Sequence, residues 1–181
     1  QVLEIIPSTE TDEATTKLIG YSRDADDAGT SSHYSTSVLA ENGKIYAAPY
    51  GSYGSSAKQV LEIDPTGDEA TTQLIGQELS GIKKYVTSVL AGNGKIYAAP
   101  YGFRSSANQV LEIDPTKSTA KLIGTDLGSG WYKYYTSVLA GNGKIYAAPY
   151  GDYGPPFTTK VLEIDPIKKT TKLIGTDLGT G

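Results

Sequence analysis

Apolar and polar positions recur along this chain with a long, fixed period. Thr87 to Gly102 reads TSVLAGNGKIYAAPYG, and Thr136 to Gly151 repeats it letter for letter. Thr36 to Gly51 differs only at Glu41, where the other copies have Gly92 and Gly141. A second phrase, VLEIDP, begins at Val60, Val110 and Val161, with the variant VLEIIP at Val2. A third, KLIG or QLIG, ends at Gly20, Gly76, Gly124 and Gly175. A period of about fifty residues marks a repeat architecture. Each unit parses into four short strands: SVLA (88–91), KIYAAP (95–100), VLEID (110–114) and TTKLIG (170–175) or their equivalents. Asn93-Gly94 between the first two predicts a tight hairpin, since both residue types accept positive φ. Asp64-Pro65-Thr66-Gly67 after the third predicts a type I turn.

Four strands joined in order by tight turns make an antiparallel meander. SVLA and IYAA are apolar or small on both alternating faces and are expected to be covered on both. VLEID and TTKLIG alternate more and are expected nearer solvent. The expected fold is all-β, a β-propeller of four-stranded antiparallel meander blades, with about three and a half blades in this chain. A flat solenoid of stacked repeats is the alternative. The whole of 1–181 reads as one repeat domain: a half blade at 1–20, then blades at 36–76, 87–124 and 136–175. Propellers typically close with four to eight blades, so a longer or multi-chain propeller is expected.

The phrases VLAGNGKIYAAPYG and VLEIDP resemble β-propeller repeats of the broad Kelch, NHL and tachylectin-like kind. More closely, they resemble propeller-type repeats of unicellular algal proteins. The resemblance covers nearly the whole chain and implies a fold; it does not imply an activity. The Trp-Asp pair of WD40 repeats and the paired glycines of typical Kelch repeats are absent from the motifs.

Composition narrows the function classes. There is no cysteine and a single histidine, His33, so zinc sites and Cys- or His-centred catalysis have little to build on. The net charge is −4 and no Lys/Arg cluster exceeds a pair, so nucleic acid is not an expected partner. No apolar run reaches the length of a membrane span. The pairs Glu62/Asp64, Glu112/Asp114 and Glu163/Asp165 recur in every unit, each Asp before a Pro, and read as turn residues rather than acid–base pairs. Asp24, Asp26 and Asp27 lack the glycine and distal glutamate of a calcium loop and read as a solvated acidic run. No metal or cofactor is expected.

Comparison of the units with one another shows where variation collects. The turns between strands one and two and between strands three and four share one edge and stay regular. The opposite edge carries loops that vary in length and content, as a binding face does. Its candidate ligand-binding residues are Tyr53, Phe103, Arg104, Trp131, Tyr132, Asp152, Tyr153 and Phe157. Such rings beside charged and amide groups stack on sugars or on a partner's side chains; the plainer alternative is that they pack the loops onto the blades. Tyr50, Tyr101 and Tyr150 are identical in every unit and read as stacking residues. The leading expectation is a non-catalytic structural or interaction scaffold that assembles with further copies or a larger complex. The alternatives are a lectin-like glycan-binding propeller and an enzyme fragment with a central-channel site. The compartment stays open, with the outside of the cell favoured.

Overall fold

The computed structural model describes residues 2–6, 15–19, 33–52, 57–67, 69–103, 107–151 and 158–179, the first two segments as backbone only. The fold is all-β. A two-stranded hairpin, β1 (Val2–Ile6) and β2 (Thr15–Ile19), precedes three four-stranded antiparallel sheets. The first sheet holds β3 (Tyr34–Leu39), β4 (Ile45–Pro49), β5 (Val60–Asp64) and β6 (Thr71–Ile75). The second holds β7 (Val89–Leu90), β8 (Ile96–Ala98), β9 (Val110–Asp114) and β10 (Thr119–Ile123). The third holds β11 (Val138–Leu139), β12 (Ile145–Ala147), β13 (Val161–Asp165) and β14 (Thr170–Ile174). In each, spatial order follows chain order, and equivalent residues pair in the same register: Tyr46 with Glu62, Tyr97 with Glu112, Tyr146 with Glu163.

The sheets pack face on face. Ala48, Val60 and Ile75 of the first meet Ile96, Leu111 and Ile113 of the second in one apolar cluster. Ala99, Val110 and Ile123 of the second meet Ile145, Leu162 and Ile164 of the third in another. Alternation along each strand therefore supplies both faces of the middle sheet, and the stack buries its apolar surface between layers.

The first hairpin is built differently from the simplest reading of Asn-Gly. Only the glycine takes positive φ, +79° at Gly43, +73° at Gly94 and +76° at Gly143. The Gly43 amide donates to the Ala40 carbonyl at 3.0 Å and the Ala40 amide to the Lys44 carbonyl at 2.9 Å. This is a three-residue loop whose last residue is left-handed. The asparagine is freed for side-chain work: Asn42 Oδ1 accepts the Lys44 amide at 3.1 Å, and its Nδ2 donates to Tyr46 Oη at 3.0 Å.

Two burial expectations are corrected. SVLA forms an edge strand, and in the end sheets it is open to solvent: Leu39 is 63% and Val138 61% exposed. At these positions the edge strand is not covered by a neighbouring sheet among the described residues. VLEID, expected to be wetter, is buried at all five positions in β9. Its glutamate goes inside because a lysine goes with it, as the next section describes.

Candidate functional site

The four-residue chemistry of each unit comes together at β4–β5 and its equivalents. Lys44 Nζ lies 2.8 Å from Glu62 Oε1 and 3.1 Å from Asp64 Oδ2. Lys95 Nζ lies 3.0 Å from Glu112 and 2.9 Å from Asp114. Lys144 reaches Glu163 at 2.9 Å. Tyr97 donates to Glu112 Oε2 at 3.0 Å, and Tyr146 to Glu163 at 3.1 Å. Burial pushes the Glu62 and Glu112 carboxyls up, yet hydrogen bonds from their lysines and neighbours outweigh it and the net shift is down. Thr66 and Thr116 hydroxyls hold Asp64 and Asp114 at about 2. A carboxylate fixed in the ionised state is unsuited to donating a proton near neutrality. These groups pin the hairpin and its neighbouring turn, and the Asp residues cap that turn through Thr66 and Thr116.

The opposite end of the sheets is laced by backbone. Tyr50 N donates to His33 O, Lys84 N to Tyr50 O, Tyr101 N to Lys84 O, Lys133 N to Tyr101 O and Tyr150 N to Lys133 O, all at 2.8–2.9 Å. This ladder crosses all three sheets. Beside it Lys84 and Lys133 are fully buried, their ammonium groups held by Gly81 O at 2.6 Å and by Asn108 Oδ1 at 3.2 Å. Burial pulls both lysines down to about 8, because a charge without water is costly.

An aromatic cluster covers the ladder. Tyr101 lies with its ring centroid 4.9 Å from Tyr132, 5.7 Å from Tyr135 and 6.1 Å from Tyr150. Phe103 continues it, 4.9 Å from Trp131 and 5.5 Å from Tyr132. Lys83 Nζ sits 5.1 Å from the Tyr132 centroid and 5.3 Å from that of Phe103, a cation over two ring faces. Exposure rises across the cluster. Tyr101 and Phe103 are buried, Trp131 and Tyr132 are half-buried, and Tyr135 and Tyr150 stand 51% and 56% exposed with centroids 5.0 Å apart. The loops approach closely here: a Cβ on Gly151 would run into the carbonyls of Trp131 and Tyr132.

Of the residues expected at this end, the structure brings Phe103, Trp131 and Tyr132 into one cluster, with Phe103 as buried floor. Tyr53, Arg104, Asp152, Tyr153 and Phe157 lie outside the described residues, as do Asp24, Asp26 and Asp27. Tyr101, Tyr135, Tyr150 and Lys83 join the cluster without having been singled out as ligand-facing. Invariance of the Tyr101 position across units pointed to stacking and concealed that its copy in the end sheet, Tyr150, is exposed. Among the described residues no group of three or more His, Asp or Glu is arranged to hold a metal ion. No helix is long and apolar enough to cross a membrane.

No family model matches the chain, and no match to a curated protein was found. Among solved structures it is similar to the extracellular domain of a one-component system from B. thetaiotaomicron, at 15% identity and a TM-score of 0.50 over 78% of this chain and 16% of that one. It is also similar to Kuenenia stuttgartiensis hydrazine synthase, at 13% identity and a TM-score of 0.54 over 88% of this chain and 41% of that one. The chain thus spans less than half the length of either neighbour. At such identities the likeness concerns the fold, a repeated all-β arrangement of four-stranded antiparallel sheets, and carries no activity across.

Proposed function

We propose that the chain is a segment of a non-catalytic β-propeller that works as an extracellular interaction scaffold, holding a protein partner at its aromatic loop end. The observation that carries this is a division of labour among the side chains. The charged groups shared by every unit are tied up in scaffold ion pairs, while the variable end exposes the adjacent rings of Tyr135 and Tyr150. Paired tyrosines on a rigid backbone ladder offer contact area at low entropic cost, as binding hot spots do. Chain-ordered antiparallel blades stacked face on face support the propeller reading, and the extracellular placement of one structural neighbour supports the compartment. The same exposed ring pair favours a second reading, a lectin-like site where a sugar ring stacks on Tyr135 or Tyr150.

The test is a paired screen of the wild type and the Tyr135→Ala/Tyr150→Ala double variant on protein and glycan arrays. A protein ligand that the double variant binds at least about tenfold more weakly, a loss of about 1.4 kcal/mol, is the expected result. A saccharide lost in the same way selects the lectin reading. Turnover on a panel of glycoside, ester and lyase substrates would overturn the non-catalytic assignment.

A further inference from the structure

The two interfaces between neighbouring sheets are made of one repeated set of contacts. At the first, Asn42 Nδ2 and Tyr46 Oη both donate to the Pro115 carbonyl, at 3.1 and 3.3 Å. At the second, Asn93 Nδ2 donates to the Pro166 carbonyl at 3.1 Å, and Tyr97 Oη, whose proton goes to Glu112, lies 3.4 Å from the same oxygen. Each interface also seats the glycine that ends a sheet's last strand against the last strand of the next. A Cβ on Gly76 would lie 2.7 Å from the Ala120 Cβ, and one on Gly124 would run into the Thr171 side chain. Each sheet therefore has an acceptor face, bearing Asn, Tyr, Ala, Val and Gly. It receives a donor face that brings the Leu-x-Ile strand and its proline carbonyl.

The third sheet has the same acceptor face, and among the described residues none lies against its terminal glycine. Asn142 Nδ2 donates to Tyr146 Oη at 2.9 Å, and among the described residues no carbonyl of another sheet meets either group. Val138 is 61% exposed, Ala148 is exposed where Ala48 and Ala99 are buried, and a Cβ on Gly175 would meet nothing within 4 Å. The face thus repeats, residue for residue, the two faces that receive a following sheet.

The donor's chemistry exists elsewhere in the chain. The β1–β2 hairpin repeats β13–β14 in sequence: VLEI followed one residue later by proline, then TTKLI. It repeats the register as well. Val2 pairs with Ile19 and Leu3 with Leu18, as Val161 pairs with Ile174 and Leu162 with Leu173. Leu3, Ile5 and Pro7 thus occupy the sequence positions of Leu162, Ile164 and Pro166, the residues that dock on the second sheet. We propose that the third sheet's acceptor face takes the β1–β2 hairpin of a second copy of the chain, a head-to-tail contact that reproduces the two internal interfaces. The proposal rests on the scaffold reading above and names the partner of one of its faces. Such a contact is heterologous, so each copy offers one acceptor and one donor, and repetition builds a ring or an open chain.

The experiment is sedimentation velocity on the 181-residue protein from dilute to concentrated solution, beside three variants. The wild type is expected to sediment as a multiple of 19.1 kDa. Ala148→Asp, which charges the acceptor face, and Ile5→Asp, which charges the donor, are each expected to be monomeric with an unchanged far-ultraviolet circular dichroism spectrum. Mixed in equal amounts they should form a dimer, because each retains the face the other lacks. Tyr146→Phe, which removes a hydroxyl from the acceptor face, should weaken association; that hydroxyl also donates to Glu163, so the variant's fold is checked by the same spectrum. A wild-type monomer at every concentration overturns the proposal, and so does an oligomer that survives Ala148→Asp. Either result leaves the array screen of the tyrosine variants to judge the scaffold reading separately.

Discussion

Asn93 makes three hydrogen bonds with one side chain: Oδ1 to the Lys95 amide, Nδ2 to Tyr97 and Nδ2 to the Pro166 carbonyl of the next sheet. Asn142 makes the first two kinds but lacks the third. Asn93→Ala should therefore destabilise the protein by about 1–3 kcal/mol, and Asn142→Ala by less, in chemical denaturation. Equal losses would mean that the cross-sheet bond adds nothing. The buried lysines have a different signature. Burial lowers Lys84 and Lys133 to about 8 from an ordinary 10.5, so between those values the unfolded chain binds more protons than the folded one. Stability should rise with pH across that window. Above it the buried phenols of Tyr85, Tyr97 and Tyr134, held above their ordinary 10.0, reverse the slope, because the unfolded chain loses those protons first. Denaturation midpoints measured against pH should peak between these regimes, and Lys84→Met/Lys133→Met should flatten the rising limb.

At the scale of the element, the last strand of each sheet ends in a left-handed glycine. Gly76 and Gly175 share nearly the same φ, +79° and +81°, but only Gly76 lies against a neighbouring sheet. Alanine at either position carries the left-handed strain of about 1–2 kcal/mol. Gly76→Ala must also displace Ala120, a further overpacking cost of about 1–3 kcal/mol. Comparison of the two variants by thermal unfolding isolates the sheet–sheet approach, and equal melting temperatures would show that the sheets yield without cost. The strands also show why pattern reading misjudged two of them. VLEID looks half-polar because of its glutamate, but in β9 Lys95 and Tyr97 meet both oxygens of Glu112, and a satisfied carboxylate can be buried. SVLA looks like a core strand, but it holds an edge position, and among the described residues only the middle sheet shares apolar clusters on both faces.

For the whole molecule, burial is graded by position in the stack. The same tyrosine is fully buried as Tyr46 and Tyr97 and half-exposed as Tyr146; the same alanine is buried as Ala48 and Ala99 and exposed as Ala148. Identical sequences thus meet different surroundings according to whether another sheet follows. The loop end behaves the same way. Tyr101 is enclosed by Tyr132, Tyr135 and Tyr150, whereas Tyr150 faces solvent and forms the exposed pair with Tyr135. On the scaffold reading proposed above, the interaction surfaces are the terminal sheet and the variable loops.

The sequence by itself determined the repeat, its four strands, the places where they turn and the edge on which variation collects. These follow from local rules: alternation of side chains, glycine at positive φ, aspartate and proline at a turn. Only the tertiary structure decided which copy of each repeated residue is covered, because burial depends on what stacks above it. It also showed that Asn42 and Asn93 reach into the following sheet, that paired charges sit inside, and that tyrosines from successive units converge into one cluster. The cross-sheet bonds join residues 73 positions apart and the ion pairs residues 17 to 19 apart, beyond the reach of any local pattern, and identical units cannot report their own place in the stack.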